Sequence, residues 1–288
     1  MKEVRKVIDM SAFRAPVLGE YLSKSPNNFI VICQSAQMEM LKGEAKVNLE
    51  KSLEVASRHA DQIIVLKPDL KIARIDPKSK GLQNRLICPD STIGFSKFCQ
   101  DIFSGKANKG SLEQHIFGEQ RQVVQYFNNL KERRDEFYDV MAEARRRYTE
   151  SEIKQLRTQR PFPALPLQTI IEEVFCSSAN LLTGKIGPAT VPPLENAPFS
   201  FQFRIILCHR LLVFYWIKTG GYETMTKEKY SNDYTDMSYA AYATFFDGLI
   251  TKDQKLMEIY QTARRLIEEI LKSDWRSTLK ALHSRGSQ

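Results

Sequence analysis

The chain has 288 residues, of which 42% are apolar and 26% charged, with 42 Lys+Arg against 34 Asp+Glu for a net charge of +8. That length can bury a sizeable core, and the composition is that of a globular protein rather than a disordered one. The longest apolar stretch, Ile205 to Ile217, is interrupted by His209 and Arg210 and falls short of the roughly 18 residues a membrane span needs, so no membrane association is expected.

Met1 to Asp9 is charged and lacks the apolar core of a secretion signal, so a cytoplasmic protein is expected. Cys33, Cys88, Cys99, Cys176 and Cys208 are scattered and form no C-x-x-C pair. Free thiols are therefore expected, not a zinc site or a disulfide framework. The excess of lysine and arginine permits a phosphate-bearing partner, because such residues neutralise backbone phosphates.

Three strand-length apolar runs come first: Val4 to Asp9, Phe29 to Cys33 and Gln62 to Lys67. Helical stretches separate them: Pro16 to Lys24, Gln34 to Lys42 and Ala45 to His59. Strands alternating with helices predict a parallel sheet. Pro68 to Asp90 is turn-rich, Thr92 to Ser104 reads as a helix, and Leu112 to about Gln159 as a long charged one. Its apolar stripe is Val123, Val124, Phe127, Leu130, Phe137, Val140 and Met141.

Pro161, Pro163 and Pro166 break that pattern, and Leu167 to Leu182 resumes it. Thr183 to Pro198, with its glycines and prolines, predicts a loop, and Phe199 to Thr219 a buried helix stopped by Gly220-Gly221. The end of the chain returns to alternation. Asp236 to Phe246 predicts a helix, Gly248 to Thr251 a strand, Gln254 to Lys272 an amphipathic helix, and Trp275 to His283 a terminal turn or short helix.

Four acids stand at the joints of this pattern. Asp9 ends the first strand, Glu39 lies on the helix after the second, Asp236 opens a helix, and Asp253 follows the last strand. The C-terminal edge of a parallel sheet is where such groups converge and ligands bind. Carboxylates held together repel unless a cation shares their charge, and oxygen ligands suit magnesium or manganese. Each acid has a plainer alternative. Asp9 can cap a turn, Asp236 can be only a helix N-cap, and Glu39, with Glu44 nearby, can be a solvated helix residue.

In order and context these acids resemble the PIN domain. The resemblance rests on Asp9 with Ser11, on Glu39-Met40-Leu41-Lys42-Gly43, on Asp236 followed by Ala240-Ala241, and on Thr251-Lys252-Asp253. It covers about Lys2 to Lys67 and Asn232 to Leu271. The family departs here in one respect, since almost two hundred residues separate Glu39 from Asp236.

The resemblance implies an α/β fold, a PIN-like parallel sheet flanked by helices, with a large α-helical insertion. The nuclease domain would be discontinuous, 1–67 plus 232–273, with a helical insertion at 68–231 and a tail at 274–288. It implies hydrolysis of phosphodiester bonds, most often in RNA, with Mg2+ or Mn2+ held by Asp9, Asp236 and Asp253. Glu39 would orient the ion's waters or complete a second ion site, and Asp233 could join the set. Ser11, Asn232 and Thr251 would support it, and Arg145, Arg146 and Arg147 are candidate RNA contacts. Such a ribonuclease would suit a toxin or a phage-defence effector, with an inhibitory or regulatory protein partner and self-association both left open. The competing readings are a DNA or flap-type nuclease and a silent scaffold that binds RNA or protein through the helical block.

Overall fold

A computed structural model describes residues 2–104, 109–158, 173–175, 194–221 and 223–272. Four strands form one parallel sheet in the order β3-β2-β1-β4: β1 (Val4–Ile8), β2 (Asn28–Ile32), β3 (Ile63–Val65) and β4 (Gly248–Ile250). In register, Val7 stands beside Val31 on one side and Leu249 on the other. Val7, Ile8, Ile30 and Val31 are wholly buried, as strands covered by helices require. Burying each such side chain contributes roughly 1.5–3 kcal/mol.

The α/β architecture is thus present: a parallel sheet flanked by helices. Helix Pro16–Ser23 packs on β2, and helix Lys227–Ala243 on β1 and β4. Ala240 and Ala241 have no exposed surface, and their small side chains let that helix lie close to the sheet. The last strand joins the first through more than the ladder. The Asp247 amide donates to the Arg5 carbonyl at 2.8 Å, and the Arg5 amide returns a 2.8 Å bond to the Asp247 carboxylate.

The middle of the chain is helical. The expected single helix after Leu112 is three: Lys109–Glu132, Arg134–Arg146 and Glu150–Thr158. Of its stripe, Val123, Phe127, Leu130 and Met141 are buried, whereas Val124 and Val140 face solvent. Helix Phe201–Thr219 begins at Ser200, whose hydroxyl accepts from the Phe203 amide. It ends at Gly220, whose φ of 70° completes a left-handed cap that a side chain would strain. It packs against Lys227–Ala243 and Gln254–Lys272, and its buried residues share one continuous core with the sheet.

The turn-rich stretch after Pro68 holds three short helices: Asp69–Ile72, Leu82–Leu86 and Pro89–Ile93. Among the described residues no helix is long and apolar enough to cross a membrane. Cys33, Cys88, Cys99 and Cys208 are free thiols. Cys176, Pro161, Pro163, Pro166 and the segment Trp275 to Gln288 lie outside the described residues. The same holds for all of Leu167 to Leu182 except the helical residues 173–175, and for the expected loop after Thr183 as far as Pro193. Leu194–Phe199 is a 3-10 helix, not loop.

A further expectation is corrected, at Asp236. Asp236 does not open a helix; it sits in the third turn of Lys227–Ala243, whose N-cap is Thr226. The Thr226 hydroxyl accepts from the Lys229 amide, and nothing between them and Asp236 interrupts the helical hydrogen bonds. Asp236 reads as an N-cap in sequence because aspartate favours helix starts, but the helix begins at Lys227 and packing against the core overrides that preference.

Candidate functional site

Asp9, Glu39, Asp236 and Asp253 line one cleft of about 410 Å³. Each reaches it from a different element. Asp9 is the first residue past β1, with only 4% of its surface exposed, and its carboxylate is held on both oxygens. Oδ1 accepts from the Ala12 amide and the Ser11 hydroxyl, both at 2.8 Å, and Oδ2 accepts from the Thr251 hydroxyl. Asp9 therefore caps the short helix Met10–Phe13 and faces the cleft at once.

Thr251 ties the two ends of the chain together. Its hydroxyl donates to Asp9 and accepts from the Asp253 amide at 2.9 Å. The Asp253 carboxylate in turn accepts from the Leu256 amide at 3.1 Å, at the start of helix Gln254–Lys272. The support expected from Ser11 and Thr251 is present as hydrogen bonds. Asn232 also lines the cleft, and its side-chain oxygen accepts from Lys42 Nζ at 2.9 Å.

Glu39 comes from helix Gln34–Met40. Burial pushes its carboxyl up to about 7, and the Asp9 charge adds to the rise, while the Tyr239 hydroxyl, Lys42 and Arg14 oppose it. That hydroxyl is fully buried and, among the described residues, makes no well-formed hydrogen bond. Asp236 is also raised to about 7, first by burial and then by Glu39, Asp253 and Asp233, against the pull of Lys255. Both carboxyls are raised first by burial, and the neighbouring acids add to the rise.

Asp233 is placed differently. It is buried, does not line the cleft, and accepts from the Trp216 indole at 2.9 Å and from Lys255 Nζ at 2.5 Å. The arginine triplet also stands apart from the cleft lining. Arg145 pairs with Glu150, and Arg147 with Glu143 and with Glu173 at 2.6 Å, while Arg146 is exposed.

Four residues escaped the sequence reading. Arg14 and Lys42 line the cleft, and Tyr239 lies behind Glu39. Lys255 lies within 4 Å of three acids, Asp233, Asp236 and Asp253. Lys255 had one signal. It stands in the first turn of its helix, the positive end of the helix dipole, where a cation is unfavourable unless acids lie close by.

In chemistry the cleft's donors are carboxylate, amide and hydroxyl oxygens, the set that suits a hard divalent cation. As the side chains stand, no three His, Cys, Asp or Glu among the described residues are grouped closely enough to hold one ion. No family model, curated protein or solved structure matches the chain.

Proposed function

We propose that the chain is a metal-dependent nuclease of the PIN-like kind, hydrolysing phosphodiester bonds, with RNA the favoured substrate. The observation that carries this reading is the convergence of Asp9, Glu39, Asp236 and Asp253, from four elements, on one cleft at the C-terminal edge of a parallel sheet. The oxygen donors that line the cleft, four carboxylates among them, fit Mg2+ or Mn2+. Such an ion, when bound, supplies charge to the phosphoryl oxygens and acidifies a water.

The chain's own residues do the rest. Asp9, fixed by Ser11, Ala12 and Thr251, presents a carboxylate that cannot swing away. Asp236 and Asp253 offer carboxylates opposite it. Glu39, raised to about 7, is poised to hold or release a proton near neutral pH. Arg14 and Lys42 line the same cleft and place positive charge where a substrate phosphate would lie.

One observation favours a second reading, a silent scaffold: Lys255 already neutralises part of the acidic group. Labelled RNA and DNA incubated with Mn2+, with Mg2+ and with chelator separate the two. The nuclease reading expects metal-dependent cleavage that is lost in Asp9→Asn and Asp236→Asn. Cleavage that survives both substitutions sinks the site, and no cleavage of either nucleic acid under any metal favours the scaffold.

A further inference from the structure

We propose that the Lys255 ammonium is a built-in cation that keeps the acidic cleft assembled without metal and competes with a divalent ion for Asp236 and Asp253. The inference rests on the metal-dependent reading of the cleft. Lys255 Nζ lies 2.5 Å from Asp233, 3.5 Å from Asp236 and 3.6 Å from Asp253. These acids come from helix Lys227–Ala243 and from the segment after β4, so one ammonium joins two parts of the cleft wall.

The two cations that line the cleft, Lys42 and Arg14, make their side-chain hydrogen bonds to neutral groups, not to its acids. Lys42 donates to Asn232 and lies 4.5 Å from the centre of the Phe127 ring, and Arg14 donates to Ser52 at 2.9 Å. Lys255 is also held against its helix dipole, in the first turn of Gln254–Lys272, so the acids and not the helix fix it there. Its side chain is 14% exposed. Removing one partner from a buried ion pair leaves the other charge uncompensated, which is far costlier than the pair is worth.

The three contacts are unequal, and that inequality gives the competition its geometry. Asp233 is the anchor: it is buried, fixed by the Trp216 indole, and outside the cleft lining. Asp236 and Asp253 line the cleft and are held only at 3.5 and 3.6 Å. An arriving divalent ion can take those two carboxylates while the ammonium stays on Asp233.

The test compares the full chain with Lys255→Met and Lys255→Arg, by thermal melting in chelator and in millimolar Mn2+ and by calorimetric Mn2+ titration. In chelator, K255M melts lower by about 5 °C or more. Mn2+ then raises its melting point by more than it raises the wild type's, and K255M binds Mn2+ about tenfold tighter or better. K255R, which keeps the charge, binds Mn2+ no more tightly than the wild type.

Equal Mn2+ shifts in wild type and K255M, or Mn2+ affinity unchanged in K255M, overturn the proposal and leave the metal reading standing. No Mn2+ bound by any of the proteins overturns the metal reading and the proposal with it. Should K255M not accumulate, Asp233→Asn with Lys255→Met, which removes both members of the 2.5 Å pair, carries the same comparison against Asp233→Asn alone.

Discussion

Thr251 shows how a residue with no charge can govern a charged site. Its hydroxyl donates to Asp9 and accepts from the Asp253 amide, so it sets the spacing of two acids from opposite ends of the chain. Thr251→Val keeps the shape and removes both bonds. We expect a loss of about 1–2 kcal/mol in urea unfolding. Cleavage should fall about 10–100-fold, while Thr251→Ser stays near wild type. Cleavage unaffected by the valine would mean that Asp9 needs no such support.

His209 gives a prediction of the opposite kind, on stability alone. It stacks on Tyr234 with ring centroids 3.9 Å apart, and burial pulls its pKa from 6.5 down to about 4. The folded state therefore binds fewer protons than the unfolded state between those values. Stability from the neutral ring is complete above about 6.5 and is lost as pH falls toward 4. Because His209 is half-buried and not sealed from water, the loss should be about 2 kcal/mol, less than the full shift implies. His209→Phe should flatten that part of the stability–pH curve, as unfolding at pH 7 and pH 4.5 would show. Both roles hang on partners distant in sequence, so neither the Asp9–Thr251 bond nor the His209–Tyr234 stack is legible from a residue type.

Among the elements, helix Lys227–Ala243 carries most of the site's geometry. Asn232 and Asp236, four residues apart, present to the cleft on one face, and Asp233 turns to Trp216 and Lys255 on another. Its start was misplaced by sequence because Asp236 is a residue type that favours helix starts, whereas the cap is Thr226. Its later half was legible, since Ala240-Ala241 mark a helix pressed on a sheet. Glu39 was legible as a helix residue after a strand. That its helix ends at Met40 and leaves Lys42 free to reach Asn232 was not, because that contact joins positions far apart in the chain. Thr226→Ala should cost about 1 kcal/mol of stability by removing the cap. Asp236 lies almost three turns away, so cleavage should change little; a large loss of activity in that variant would place the cap within the site's working parts.

Taken as a whole, the molecule makes its strongest statement through charge placement. A net charge of +8 says that a polyanion is tolerated, but not where. The cleft places Arg14 and Lys42 beside the acids, whereas Arg145 and Arg147 are tied into ion pairs of the helical block. We expect Arg14→Ala and Lys42→Ala to raise the KM for RNA several-fold with kcat little changed. Arg146→Glu should leave both near wild type, and a rise in KM there would move the substrate path onto the helical block. A parallel sheet, and acids gathered along its C-terminal edge, could be foreseen from alternating strands and helices. The cations could not, because lysine and arginine are common on any surface and only the fold shows which ones share a cleft.

The seam between β1 and β4 has a consequence for how the protein is born. β1 spans residues 4–8, and its partner β4 spans 248–250, so one flank of the first strand stays bare until most of the chain has left the ribosome. Asp9 likewise waits for Thr251, and Lys255 cannot neutralise Asp236 before both exist. A partly made chain would then carry Asp9 and Glu39 and still be inert. That delay would spare the message and the ribosome that make it from the activity proposed for the finished chain. Nascent chains arrested before Gly248 should cleave no RNA with Mn2+ present, while released full-length chains should; cleavage by the arrested chains would show that the last strand is dispensable.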